Sequence, residues 1–190
     1  LLARLTGTLG TINTSTLNNL SKVRVRHKKT APQVIPTLRD LLEWLPSQSL
    51  LVLELKDRKF NESEELEGLL RLLDGGVLRR TILASFDKRM LEKAKEIEPS
   101  AATCLITWCD FTPAAATDIS APLFPILWMN PLYAARAHTA AKFVSVWDPH
   151  PEERIRQYLA HRIDIVTGDS PRKIMAALNL ISEAGTSSLD

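Results

Sequence analysis

From residue 50 onward, short apolar runs alternate with longer segments in which apolar residues recur every three or four positions. Short runs rich in Val, Ile and Leu and bounded by turn residues are typical of buried strands. They predict strands over residues 51–55, 81–85, 102–106, 123–127, 143–147 and 163–167. The longer segments predict helices over residues 62–73, 88–97, 131–142, 151–160 and 171–180. Regular alternation of strand and helix indicates a parallel α/β fold, in which Pro125 makes the fourth strand the poorest.

The chain before residue 50 has a different pattern. Residues 1–34 are rich in turn-forming residues and become basic toward their end. We predict a solvated loop over residues 21–33, and a short exposed strand over residues 23–27 is the alternative. A helix should follow, in which Thr37 is the N-cap, Asp40 completes a capping box, and Pro46 marks the end.

The stretch Leu50 to Lys56, which contains the first predicted strand, carries two opposite charges at its end. Because side chains alternate across a strand, Val52, Glu54 and Lys56 share one face. A carboxylate and an ammonium on the inner face of a buried strand are costly to desolvate. They are tolerated at the mouth of the sheet, close to solvent and to a ligand. The alternative is that the strand ends at Leu55 and that Glu54 pairs with Lys56 or with a neighbouring basic residue.

Composition narrows the class of protein. The chain has 190 residues, 45% of them apolar and 24% charged, which suits one globular domain. A net charge of +2 gives no indication of nucleic-acid binding.

Cys104 and Cys109 lack partners at zinc-site spacing, so we expect two buried or half-buried thiols, with a local disulfide as the alternative. No apolar run is long enough for a spanning helix, so we expect a soluble chain, cytoplasmic or peripheral to a membrane rather than secreted.

Six sequence blocks occur in an order that is known from one enzyme family. They are ARLTGTLGTINTSTLNNL, VIPTLRDLLEWLP, LVLELK, ILASFD, FVSVWD and IDIVTGDSP. Together they extend from Ala3 to Pro171, and in these blocks the chain resembles the glycerophosphodiester phosphodiesterases. The resemblance implies a TIM-barrel (β/α)8-like fold that is incomplete, with the first two strands missing and about six parallel strands present. Residues 1–190 would then form a partial barrel domain that ends in a polar tail over residues 182–190.

The resemblance also implies site residues and a chemistry. Glu54 matches a metal-ligand Glu of the family, and Lys56 matches the Lys that faces the phosphate. Trp147 matches a barrel Trp close to the substrate, although a plain core aromatic is the alternative. The implied cofactor is a divalent metal, Mg²⁺ or Ca²⁺, which prefers carboxylate oxygens. The implied substrate is a small glycerophosphodiester or a lysophospholipid.

The chain departs from the family pattern in two places. The family's His-Arg motif and its second catalytic His have no counterpart here. Of the four histidines, His150 alone is expected at the catalytic mouth, just after Trp147, which makes it the one candidate for a catalytic role. The family's Thr-Asp ending is replaced by Thr167-Gly168-Asp169, which puts Asp169 in doubt.

Two hypotheses follow from these matches and departures. The first is that the chain is the C-terminal part of a metal-dependent phosphodiesterase, inactive alone, and that residues once preceded Leu1. The second is that it is a non-catalytic barrel remnant that acts as a binding or structural module. Under either hypothesis, a missing N-terminal segment or a partner chain is expected to cover the open barrel edges. The basic segment, residues 22–29, adds weak attraction to an anionic membrane surface.

Overall fold

A computed structural model describes residues 2, 6–27, 30–74, 76–113 and 116–186, with side chains described as far as residue 182. The chain divides into two compact units, Leu1–Ser49 and Leu50–Asp190. The parallel sheet lies entirely within the second unit.

The first unit contains a short helix, a hairpin and a second helix. Helix α1 (Leu17–Leu20) is followed by the antiparallel strands β1 (Arg24–His27) and β2 (Thr30–Val34) and by helix α2 (Leu38–Trp44). The capping box of α2 is confirmed: the Thr37 hydroxyl accepts from the Asp40 amide, and the Asp40 carboxylate accepts from the Thr37 amide.

The solvated loop predicted over residues 21–33 is wrong, because β1 and most of β2 lie within it, and the alternative of a short strand is confirmed by β1. In β1, Val25 pairs with Gln33 and His27 pairs with Thr30. The alternation of Val with Arg suits an exposed strand once a partner strand satisfies its backbone groups. That partner, β2, is exposed along its whole length, so hydrophobic patterning gave no sign of it.

The second unit is built on one parallel sheet with its strands in sequence order. The strands are β3 (Leu51–Glu54), β4 (Thr81–Ser85), β5 (Ala102–Thr107), β6 (Ile119–Pro122), β7 (Phe143–Trp147) and β8 (Ile165–Thr167). The helices are α3 (Ser63–Leu72), α4 (Lys88–Ile97), α5 (Phe124–Met129), α6 (Tyr133–Thr139), α7 (Ile155–Ala160) and α8 (Pro171–Thr186). The predicted α/β fold with six parallel strands is therefore confirmed, and the sequential strand order is that of a barrel wall.

The fourth strand of this sheet does not lie where we predicted it. Residues 124–129 form helix α5, and the strand is β6, directly before it. Pro125 lies in the first turn of α5, where a missing backbone N–H costs nothing. All four residues of β6 are buried, and Ile119 pairs with Cys104 while Ala121 pairs with Ile106. Burial between two neighbouring strands, rather than local strand propensity, places this segment in the sheet.

The two faces of the sheet carry different side chains. On the outer face, Val144 and Val146 pack with Tyr133 and Tyr158 from the helices, and all four side chains are buried. The inner face is lined by smaller groups, with the buried cluster Ala84, Cys104, Ile119 and Ala121. This alternation along each strand decides which side chains can reach the interior of the barrel.

The C-terminal helix is longer than predicted. Helix α8 continues to Thr186, past the expected start of the frayed tail at residue 182, while residues 187–190 lie outside the described residues. Within the described ranges, no helix combines the length and the apolar character that crossing a bilayer requires.

Candidate functional site

The structure places Glu54 at the carboxyl end of β3 on the inner face of the sheet. Glu54 pairs in register with Ala84, which belongs to the inner-face cluster. Paired residues of neighbouring parallel strands project to the same side, so Glu54 faces inward, and Leu51 and Leu55 are buried on the other side. Lys56 follows two residues later on the Glu54 face. Active sites of parallel barrels lie at this end of the strands.

Glu54 and Lys56 form an ion pair with each other. The Lys56 Nζ atom lies 2.6 Å from Glu54 Oε1, and the Lys56 and Glu54 side chains are 75% and 31% exposed respectively. The two alternatives predicted for this strand are therefore compatible. Glu54 and Lys56 form an ion pair, and the pair lies at the mouth of the sheet. An exposed pair of this kind contributes little to stability, so either group can turn toward a ligand at low cost.

Three aromatic rings lie in a row across the same end of the sheet. Phe86 follows β4, Trp108 follows β5, and Trp147 ends β7. The Phe86 and Trp108 rings are stacked, with centroids 5.3 Å apart and an interplanar angle of 14°. Trp147 meets Trp108 edge to face at a centroid distance of 5.3 Å. Trp147 is thus a half-buried rim residue and not a plain core aromatic.

Sequence reasoning missed the role of Trp108 in this row. A signal was present, because Trp108 follows the inner-face residue Ile106 by two positions, as Phe86 follows Ala84. Both aromatics therefore continue the inner side of their strands beyond the last paired residue.

His150 lies in the loop after β7 but is not brought to the Glu54–Lys56 pair. Its ring is largely exposed, and its Nδ1 atom lies 3.9 Å from Glu152 Oε1. The position at the mouth is as expected, while the contact is with a carboxylate of its own loop. Among the contacts of the described residues, none joins His150 to the ion pair.

Asp148, which sequence reasoning missed, anchors the loop that follows Trp147. Its carboxylate is buried and accepts hydrogen bonds from Tyr158 Oη at 2.5 Å, Arg154 Nη1 at 3.0 Å and the His150 amide at 2.9 Å. Burial raises the pKa of Tyr158, and the hydrogen bond to Asp148 raises it further, so the phenol stays a donor. Three donors on one carboxylate hold the loop against helix α7.

Arg154 links this anchor to a second aromatic group. Its guanidinium carbon lies 4.8 Å from the centre of the Phe124 ring and 5.6 Å from that of Trp128. The guanidinium is therefore held by a buried carboxylate on one side and by π faces on the other. These contacts fasten the loop between β7 and α7, which lies directly after Trp147.

Gly168, which follows Thr167 where the family's ending has Asp, has no room for a side chain. A Cβ atom at this position would lie 2.5 Å from both Cδ and Cγ of Pro151 and 3.1 Å from the Asp148 carbonyl oxygen. The Pro151 ring therefore occupies the space that a side chain would need, and the next carboxylate in the chain, Asp169, is exposed.

We expect Gly168→Ala to destabilise the fold by roughly 1–3 kcal/mol, the usual range for overpacking a filled site. Thermal or urea unfolding of the purified chain measures this change. The double variant Gly168→Ala/Pro151→Ala should recover much of the loss, because it removes the ring that the new methyl group meets. A single variant as stable as the parent chain would show that the loop moves aside freely.

The described residues do not by themselves form a metal site. Within the part of the chain that the structure describes, no three His, Cys, Asp or Glu side chains lie close enough to hold an ion. Mg²⁺ and Ca²⁺ take about six or more oxygen ligands, and Glu54 can supply at most two. Glu54 would therefore need further ligands from outside the described residues to hold such an ion.

The two cysteines are free thiols in different surroundings. Cys104 lies on the inner face, and burial raises its pKa to about 12, so it stays protonated. Cys109 is exposed, which corrects the expectation that both thiols would be buried or half-buried.

Solved structures that match the fold of this chain include phosphodiesterases, among them glycerophosphodiester phosphodiesterases. An Oleispira antarctica phosphodiesterase, solved with the product sn-glycerol-3-phosphate, is 19% identical at a TM-score of 0.75, with 93% of this chain and 76% of that chain covered. The enzyme from Agrobacterium tumefaciens is 18% identical at a TM-score of 0.73, with 91% and 76% covered. One from Parabacteroides distasonis is 13% identical at a TM-score of 0.74, with 90% and 74% covered.

Comparison of the amino-acid sequence with known families and proteins finds no further relative. No protein-family model and no curated protein sequence matches the chain. The structural likeness extends over nine tenths of the chain, while the chain spans about three quarters of each of these enzymes. The second unit of this chain is therefore a curled, parallel α/β sheet, and the chain has the fold of the glycerophosphodiester phosphodiesterases.

Proposed function

We propose that this chain belongs to a phosphodiesterase that hydrolyses glycerophosphodiesters, or lysophospholipids, to glycerol 3-phosphate, or lysophosphatidic acid, and an alcohol. The observation that carries the proposal is the inward-facing Glu54–Lys56 pair at the carboxyl end of β3. The fold likeness to phosphodiesterases supports it, as does the glycerol phosphate bound to one of them. Together these features favour a substrate that carries a phosphate group.

Lys56 has the chemistry to bind a phosphodiester. Its ammonium group is three-quarters exposed and is held on the inner side by Glu54. When a phosphodiester enters, the ammonium can donate to a non-bridging oxygen and stabilise the charge that develops there in the transition state. Glu54 would then be free to act as one ligand of a divalent metal, Mg²⁺ or Ca²⁺, in the natural enzyme.

The remaining steps of hydrolysis need groups that the described residues do not bring to this site. Water must lose a proton as it attacks phosphorus, and the leaving alcohol must gain one. In the described structure His150 faces Glu152, and Asp148, the buried carboxylate beside Trp147, is fully engaged by three donors. We therefore propose that this chain alone lacks turnover, and that the active enzyme draws its acid and base from outside it.

The same observation supports a second candidate, a non-catalytic module that keeps a phosphate-binding mouth. The two candidates are separated by assaying glycerophosphocholine hydrolysis with Mg²⁺ or Ca²⁺ present. Under the first candidate, the natural protein turns over the diester and the 190-residue chain does not. If the natural protein, shown to be folded by circular dichroism, releases no glycerol 3-phosphate with either metal, the enzyme proposal is wrong and the module remains.

A further inference from the structure

We propose that the hairpin of strands β1 and β2 binds an anionic lipid surface. The proposal goes beyond the proposed function, because it concerns the first unit, Leu1–Ser49, and not the Glu54–Lys56 pair of the second. It gives the basic segment, residues 22–29, a role that hydrolysis of a phosphodiester does not require.

The first argument is the distribution of charge along the chain. Residues 1–49 contain seven Lys and Arg side chains and two Asp and Glu side chains, a net charge of +5. No acidic residue precedes Asp40, and five of the seven cations lie within residues 22–29. Residues 50–190 contain 17 basic and 20 acidic side chains, a net charge of −3. An anionic surface therefore attracts the first unit rather than the second.

The second argument is the arrangement of side chains on the hairpin. Because side chains alternate along β1, Arg24 and Arg26 project from the same face, and both are exposed. Val25, on the opposite face, is half-buried. Val34 of β2 pairs in register with Arg24 and is exposed, so it lies on the arginine face. One side of the hairpin therefore presents two cations together with an aliphatic group.

The third argument is that these cations have no acidic partner. The Arg24 guanidinium donates to the backbone carbonyl oxygen of Ser21 at 2.6 Å. Within the described ranges, no carboxylate forms an ion pair with Arg24 or Arg26. Neither side chain therefore has to leave a carboxylate before it meets an external anion.

The aliphatic side chains of this unit favour a lipid surface over other polyanions. Leu9, Ile12 and Leu17 are 90%, 57% and 67% exposed. Basic and aliphatic side chains that are exposed together suit the boundary between lipid head groups and acyl chains. Single-stranded nucleic acids are bound by stacking on aromatic rings, and residues 1–43 contain no Phe, Trp or Tyr. A lipid surface therefore matches both the charged and the aliphatic side chains.

The experiment measures flotation of the 190-residue chain with lipid vesicles at low salt. Vesicles of phosphatidylcholine with about one third phosphatidylserine should bind it at least roughly 100-fold more tightly than vesicles of phosphatidylcholine alone, because each basic side chain near an anionic surface strengthens binding roughly fivefold. Salt at about 1 M should remove the difference, since the screening length falls to about 3 Å.

The double variant Arg24→Gln/Arg26→Gln should weaken binding to the phosphatidylserine vesicles roughly 25-fold, the product of two such contributions. The matched control is Arg156→Gln/Arg172→Gln, which removes the same charge from two exposed side chains of the second unit. The control should leave binding unchanged. Circular dichroism shows that each variant is folded.

Equal binding of the parent chain to the two kinds of vesicle would overturn the proposal without any variant. An equal loss in the two folded double variants would show that total charge decides binding, which would remove the hairpin from the contact. Tighter binding to duplex DNA than to the phosphatidylserine vesicles, at the same salt concentration, would replace the lipid with a nucleic acid. None of these measurements depends on turnover, so the proposed function is tested separately.

Discussion

Glu54→Gln in the natural protein is expected to lower kcat/KM for glycerophosphocholine by roughly 10²–10³-fold, the loss that follows removal of one group that stabilises the transition state. The amide keeps the size of the carboxylate and can still accept from Lys56, but it carries no charge to offer a metal ion. The exposed ion pair contributes little to folding, so the unfolding free energy should change by less than about 1 kcal/mol. Steady-state kinetics and thermal unfolding measure the two effects.

The matched control for this variant is Glu96→Gln. Glu96 also pairs with a lysine, Lys93, at 3.5 Å, but on helix α4 in the outer layer. The Glu96→Gln variant should leave both kcat/KM and the unfolding free energy unchanged. Normal turnover by the Glu54→Gln protein would exclude Glu54 from the active site, whereas a loss shared by both variants would indicate a general effect of charge.

Asp148→Ala is expected to destabilise the fold strongly, by about 3 kcal/mol. The change leaves the Tyr158 hydroxyl and the Arg154 guanidinium without their shared acceptor, and removing one partner of a buried pair is far more costly than losing an exposed one. The Arg154 side chain is 23% exposed, which places the expected cost at the lower end of the roughly 3–5 kcal/mol that breaking a buried pair costs. Urea unfolding of the purified chain measures the loss.

Asp169→Ala is the control, because Asp169 is an exposed carboxylate in the neighbouring loop and should change the unfolding free energy by at most about 0.5 kcal/mol. The loss of unfolding free energy in Asp148→Asn should lie between those of Asp148→Ala and Asp169→Ala, since the amide oxygen can still accept one hydrogen bond. If Asp148→Ala were as stable as Asp169→Ala, the loop after Trp147 would not depend on the buried carboxylate.

The secondary structure that follows from local rules was predicted well. Helix α4 begins and ends at the predicted residues, and strands β4 and β7 match their predicted bounds. The capping box at Thr37 and Asp40 also follows from local rules, because both residues and their spacing lie within one helical turn.

The elements that were mispredicted depend on partners distant in sequence. Segment β6 contains Ser120 and Pro122 and has no strong strand pattern, yet it is buried between β5 and β7. The β1–β2 hairpin is exposed and polar, so only the pairing of its two backbones identifies it. In both cases the free energy comes from the neighbouring strand, which periodicity within a segment does not report.

The sequence by itself determined that Glu54 and Lys56 share one face at the end of β3, because side chains alternate along any strand. It did not indicate that Trp108 would meet Phe86 and Trp147, or that Asp148 would bind Tyr158 and Arg154. Which side chains come together depends on strand register and on the packing of loops at the end of the sheet. Those are properties of the folded chain, since the spacing of these residues along the sequence does not specify how their strands align or how their loops pack.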